Sequence, residues 1–229
     1  MDTLQNSLQG VKSRIVEAAA SAGRDPRDIL LLAVSKTFGA DRIRAAFVAG
    51  QVHFGENYVQ EAIEKMATLA DLAITWHFIG PIQSNKTRVI AERFAWVHSV
   101  DRSKIAERLS SQRPATLPAL QICIQVNTSG EASKSGCAPE AVVSLAQSIG
   151  AMPGLRLRGL MTVPEPTLDV SLQRSRFESL ATLRVRCGDA GVPLDTLSMG
   201  MSGDLEQAIA AGATIVRIGT AIFGERRLG

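Results

Sequence analysis

From residue 29 to residue 224 the chain alternates short aliphatic stretches with helical patterns, and this alternation constrains its fold more than any other feature. A strand that is followed by a crossover helix returns parallel to its predecessor, so a run of such units predicts a parallel sheet covered by helices. Eight strand candidates end near Lys36, Phe54, Gly80, Val100, Asn127, Met161, Met199 and Gly219, and a helix-length segment separates each from the one before. Eight units predict a closed α/β barrel of the TIM (β/α)8 type. The second strand, about Gln51 to Phe54, and the sixth, Leu157 to Met161, carry the thinnest patterns, and pattern alone also admits seven or nine units.

Ahead of the first strand, Leu4, Leu8, Val11, Ile15, Ala18 and Ala22 recur at helical spacing, with Asp2 placed to cap the start and Gly23 to end it. This segment is an extra N-terminal helix laid against the barrel. A chain of 229 residues suits one barrel domain of about 200 to 250 residues, so residues 1–229 form one expected domain. The stretch Val163 to Pro166 reads as a loop, not a boundary.

Composition excludes several partners. The apolar fraction of 45% and charged fraction of 21% are those of an ordinary globular protein. The net charge of +3 is interspersed, with no basic run to track a phosphate backbone, so nucleic acid is not expected. The N-terminus has an acidic second residue and no apolar segment, and the longest aliphatic run, Ile29 to Val34, is far below the roughly 18 residues of a membrane span. No membrane partner is expected. Cys123, Cys137 and Cys187 are odd in number and widely spaced, giving neither a disulfide framework nor a metal or redox pair. The expected compartment is the cytoplasm.

Barrels of this kind place their sites at the C-terminal ends of the strands. Lys36 ends the first strand, on the face of Leu30, Leu32 and Val34 by period-two alternation. An inward amine there would be partly desolvated, which lowers its pKa and suits imine formation with an aldehyde; a surface lysine at a strand end is the plain alternative. The segment Leu197 to Asp204 (LSMGMSGD) sets the hydroxyls of Ser198 and Ser202 among glycines just before a helical pattern, where backbone N–H groups attract phosphate. The next strand ends in Arg217, Ile218, Gly219 and Thr220. Together these are the loops after strands seven and eight, the recurring phosphate site of the fold. Arg217 shares a face with Ile215 and Gly219, and among aliphatics it needs a partner, either a salt bridge at the rim or a ring nitrogen or anion.

The segments LLAVSKT, FGENYVQEA, WHFIGPIQSNK, VNTSGEASKSG, RGLMTV, LSMGMSGDLEQAI and GATIVRIGTAIFG resemble, in order, the motifs of the pyridoxal phosphate homeostasis proteins, a family related to the N-terminal barrel of alanine racemase. The resemblance covers nearly the whole chain. It implies pyridoxal 5′-phosphate (PLP) as cofactor, with Lys36 forming an internal aldimine, Ser198, Ser202, Gly219 and Thr220 around the phosphate, and Arg217 facing the pyridine nitrogen. It also brings Asn57 and Met199 near the pocket. Phe38 and Gly39 depart from the lysine and proline of many relatives, which bears on the start of the following helix.

Arginine beside the pyridine nitrogen keeps it unprotonated and makes the ring a poor electron sink. The expectation is therefore a PLP-binding carrier in vitamin B6 homeostasis, not an enzyme, with no catalytic residue assigned. In alanine racemase a second acid–base group comes from a tyrosine outside the barrel, whereas the only tyrosine here, Tyr58, reads as a packing or rim residue. A PLP-dependent racemase of narrow specificity is the alternative, and a cofactor-free Schiff-base aldolase on Lys36 a third. Lys134 would offer a second amine near the mouth, against the simpler reading of a solvated loop lysine. His53, His77 and His98 sit near strand ends without a ligand signature, so rim histidines are expected and no metal. The expected partners are PLP and, in passing, PLP-dependent apoenzymes, with the chain itself a monomer.

Overall fold

Eight short parallel strands follow one another around the barrel in chain order: β1 (Leu30–Val34), β2 (His53–Glu56), β3 (Thr75–Phe78), β4 (Trp96–Val100), β5 (Leu120–Gln125), β6 (Leu155–Met161), β7 (Thr196–Ser198) and β8 (Ile215–Ile218). β8 pairs back onto β1, with Leu32 opposite Arg217 and Ala33 opposite Ile218, and this closes the sheet. The computed structural model describes residues 2–130 and 135–225. The helices are α1 (Asp2–Ser21), α2 (Ala40–Val48), α3 (Val59–Thr68), α4 (Thr87–Arg93), α5 (Ser103–Gln112), α6 (Val142–Gly150), α7 (Val170–Asp189), α8 (Leu205–Ala210) and α9 (Thr220–Phe223). The (β/α)8 barrel with an extra N-terminal helix is thus the fold.

Strand limits differ from the sequence reading where side chains or turns intervene. β1 stops at Val34 because Lys36 and Thr37 form a turn in which Thr37 takes the left-handed φ of 70°. β2 starts later than expected, since Gln51 sends its amide to the carbonyls of Leu31 and His53 at 2.9 and 2.7 Å. β6 starts earlier, at Leu155, because its ladder with β5 runs from Leu120 opposite Leu155 to Gln125 opposite Met161.

The helix α1 buries Leu4, Leu8, Val11 and Ile15 and packs on α8 and α9. The turn after it closes at Gly23, φ 65°, whose N–H donates to the carbonyl of Ala20 while that of Arg24 donates to Ala19. This pair of bonds satisfies the last turn, and glycine accepts the left-handed geometry without steric cost. The expected Asp2 cap lies outside the described side chains. Gly39 caps α2 with extended backbone and no side-chain bond, so the departure at Phe38 and Gly39 leaves the helix start at Ala40 intact.

Outward strand side chains and inward helix side chains make the apolar layer, in which Phe54, Phe78, Phe94 and Phe177 are fully buried. The barrel interior carries polar side chains. His77 and His98 are fully buried there and His53 is half-buried, so they are interior groups and not the rim histidines expected from strand-end position. Alternation explains it: Phe54, Phe78 and Val97 take the outward face of the same strands, so their histidine neighbours turn in. Among the described residues no group of three or more histidine, cysteine, aspartate or glutamate side chains is arranged to hold a metal ion. Burial raises the Cys123 thiol to about 12 and the Cys137 thiol to about 11, and all three cysteines are unpaired. No described helix is long and apolar enough to cross a membrane.

Candidate functional site

The loops at the C-terminal ends of the strands converge on a cavity of about 310 Å³. Six of the eight residues expected there line it: Lys36, Asn57, Ser202, Arg217, Gly219 and Thr220. Ser198 and Met199 do not. β7 extends through Ser198, so its hydroxyl turns into the barrel interior at full burial, while Met199 turns out into the apolar layer. The phosphate contact expected of the Ser198 hydroxyl is not available from that position. Val34, Phe38, Ile79 and Val163 supply an apolar wall, and no carboxylate is among the described lining residues. Two cationic side chains without an acidic neighbour in the lining suit an anionic ligand.

The peptide around Lys36 is held from both sides. Lys65 Nζ, on α3, donates to the carbonyl of Ser35 at 2.8 Å, to Glu56 Oε1 at 2.7 Å and to Glu61 Oε1 at 2.5 Å. Glu61 Oε1 in turn accepts the backbone N–H of Thr37 at 2.6 Å, and Ser35 Oγ donates to Glu56 Oε1 at 2.6 Å. One ionic cluster therefore fixes the carbonyl before Lys36 and the amide after it. Glu56 and Lys65 are both buried, and desolvation pushes the Glu56 carboxyl up against the lowering pull of Lys65. Sequence reasoning missed this cluster, although the i,i+4 spacing of Glu61 and Lys65 on a helix was a signal for the pair.

Arg217 is buried and spends its donors on neighbours, with Nη1 to the carbonyl and hydroxyl of Ser198 at 2.6 and 2.9 Å and Nη2 to the carbonyl of Thr162 at 2.7 Å. Burial lowers its pKa to about 10, which still leaves it charged at neutral pH. Its fixed partners are thus two carbonyls and a hydroxyl, not the rim salt bridge that the sequence also allowed. Gly200, φ 94°, has room for no side chain: an added Cβ would stand 2.5 Å from that of Ala208. This close approach sets the loop that carries Met201, Ser202 and Gly203, and Arg14 of α1 braces it by donating to the carbonyl of Ser202 at 3.2 Å.

Asn57 reaches the cavity because the next loop crowds it there. A Cβ on Gly80 would meet the Asn57 carbonyl at 2.2 Å, and the Gly80 carbonyl is held by the Ser99 hydroxyl at 2.5 Å. Asn57 Oδ1 is buried without a protein partner, an acceptor left for a ligand donor. Tyr58 is 54% exposed and faces a neighbouring groove, as a rim residue does. Lys134 lies outside the described residues.

These groups fit PLP: an amine, a buried cation, an unpaired amide oxygen, and two glycine-bearing loops with hydroxyls, at Ser202 and Gly203 and at Gly219 and Thr220.

Residues 7–227 match the model of the alanine racemase N-terminal domain. A pyridoxal phosphate homeostasis protein of Pseudomonas aeruginosa is 60% identical, with the alignment covering 100% of this chain and 98% of that one. The structure of PipY from Synechococcus elongatus with PLP bound superposes at a TM-score of 0.81 and 38% identity, over 92% of this chain and 100% of that one. Alanine racemase of Clostridium difficile shares the fold at a TM-score of 0.80 and 13% identity, covering 98% of this chain and 57% of the racemase.

Proposed function

The chain belongs to the pyridoxal phosphate homeostasis proteins of the alanine racemase N-terminal domain family, and on that premise we propose that it binds PLP at the barrel mouth and serves as a carrier of the cofactor. The observation that supports this most directly is the pairing of Lys36 and Arg217 in one cavity without a lining carboxylate. When bound, PLP supplies an aldehyde for an amine to hold and, in enzymes, an electron sink.

In this reading Lys36 holds the cofactor through its amine, Ser202, Gly203, Gly219 and Thr220 receive the phosphate, and Asn57 offers its carboxamide oxygen. Arg217 faces the pyridine nitrogen. A charged guanidinium there opposes protonation of the ring nitrogen, which weakens carbanion chemistry and favours storage over turnover. Phe38, Ile79 and Val163 keep part of the ring dry. The chain works as one barrel unit over residues 1–229, as a monomer in the cytoplasm, and passes PLP to apoenzymes in transient encounters.

The test is spectroscopic. Purified protein incubated with PLP should turn yellow, and borohydride followed by peptide mass spectrometry should place a phosphopyridoxyl group on Lys36 and none in Lys36→Ala. Incubation with free amino acids should give no racemisation above the cofactor alone. Robust turnover lost in Lys36→Ala would make it an enzyme. A colourless protein that borohydride traps only with a carbonyl substrate would make it an aldolase.

A further inference from the structure

Arg217 stands at one end of a chain of hydrogen bonds that crosses the barrel interior. Its Nη1 reaches Ser198 Oγ at 2.9 Å, and Ser198 Oγ lies 2.8 Å from His98 Nδ1. His98 Nε2 lies 2.9 Å from His77 Nδ1, and His77 Nε2 lies 3.0 Å from His53 Nδ1. The five side chains come from β8, β7, β4, β3 and β2. His53, the far end, is half-buried, while Ser198, His98 and His77 are fully buried.

The arginine gives this chain a direction. A guanidinium only donates, so Ser198 Oγ accepts from it, and among the described residues the partner left for the hydroxyl's own proton is His98 Nδ1. A neutral imidazole that accepts at Nδ1 carries its proton at Nε2, so His98 donates to His77 Nδ1. The same step repeats, and His77 donates from Nε2 to His53 Nδ1. The rings are neutral: burial holds His77 well below its ordinary value and His98 at about 3, where the Arg217 charge adds to the effect. His77 is further fixed by Trp96, stacked on it at 5.4 Å and 12°.

We infer that His98, His77 and His53 are positioning residues, forming a one-way hydrogen-bond relay that turns imidazole lone pairs toward Arg217 and fixes its guanidinium beneath the mouth cavity. Aligned dipoles of this kind offset part of the cost of burying a cation that has carbonyls and a hydroxyl, but no carboxylate, as its hydrogen-bond partners. What the relay does for the cofactor rests on the PLP reading above. The tautomers do not.

The experiment is nitrogen NMR of histidine- and arginine-labelled protein without PLP, on the unsubstituted chain, His98→Phe and His98→Gln. The expected result is His77 and His98 neutral at pH 7 with protonated Nε2 and bare Nδ1. Slowly exchanging Nη–H signals of Arg217 should be lost in His98→Phe. They should return in His98→Gln, whose amide offers Ser198 an acceptor and His77 a donor. In PLP titrations His98→Phe should bind about tenfold or more weakly, the loss expected of a charged group's support, and His98→Gln should recover most of it. Protonated Nδ1 or a cationic ring at pH 7 overturns the relay, as do unchanged Arg217 signals in a folded His98→Phe. Where that variant does not fold, the tautomers of the unsubstituted protein decide. If the unsubstituted protein takes up no PLP, the cofactor reading fails and the NMR result alone judges the relay.

Discussion

The backbone N–H of Thr37 donates to Glu61 Oε1 at 2.6 Å, and this bond holds in place the one non-glycine residue with positive φ among those described. A left-handed threonine costs about 1 to 2 kcal/mol and persists only where its surroundings over-determine it. Glu61 does so here, from a helix that follows the next strand.

Glu61→Ala should therefore free the turn beside Lys36. The expected loss is about 1.5 to 3 kcal/mol, that of a hydrogen bond to a charged group. Urea denaturation reads the stability, amide exchange at Thr37 should quicken, and borohydride-trapped PLP on Lys36 should form more slowly. Thr37→Gly is the control, since glycine takes the same φ without strain and keeps the N–H.

Lys65→Met should be worse. It removes the cation from between two carboxylates and leaves Glu56 buried, and breaking a buried pair in this way costs about 3 to 5 kcal/mol. Thermal unfolding checks it. The double variant Glu56→Gln with Lys65→Met should recover part of the loss because no buried charge is then unpaired; no recovery would mean that the cluster contributes through packing alone.

Gly80→Ala tests how Asn57 reaches the cavity. A Cβ at 2.2 Å from the Asn57 carbonyl cannot be accommodated unless backbone moves. We expect the loops after β2 and β3 to part, with PLP affinity reduced about tenfold or more, as for a lost hydrogen bond to an oriented group. Equilibrium absorbance titration measures it. Retained affinity in Gly80→Ala would remove Asn57 from the site.

The placement of residues at the strand ends was legible in the sequence because it is local. Lys36, Arg217 and Gly219 follow from period-two alternation and position in the fold. The same alternation places Ser198 with Thr196 on the inner face, but the sequence reading grouped Ser198 with Ser202 as two hydroxyls of one segment, Leu197 to Asp204, although Ser198 is the last residue of β7 and Ser202 lies in the loop beyond it. The interior histidines were less accessible. His53 and His77 are 24 residues apart and His77 and His98 are 21 apart, and only the closed, staggered sheet brings their rings into contact. The partners of Lys65 were hidden for a similar reason, since Glu56 reaches it from a strand whose residues looked like part of a site motif.

Stability should depend on pH through these histidines. Unfolded histidines titrate near pH 6.5, while in the barrel burial holds His98 at about 3 and His77 well below its ordinary value. Above pH 6.5 the rings are neutral in both states. Below it the unfolded chain takes up protons that the folded chain refuses, so stability falls with pH until the folded rings titrate. The slope is about 1.4 kcal/mol per pH unit for each histidine. Urea midpoints at pH 7, 6 and 5 should show it, and His77→Gln should remove one histidine's share; parallel curves for the two proteins would contradict it.

Closure of the sheet between β1 and β8 has a consequence for the life of the chain on the ribosome. Lys36 leaves the exit tunnel well before the strand that carries Arg217 and the loop at Gly219 and Thr220. Until they do, the amine has neither Arg217 nor the loop at Gly219 and Thr220 beside it. A nascent chain that has released Lys36 alone therefore holds no built cavity around it, and the cavity is assembled only when β8 closes on β1.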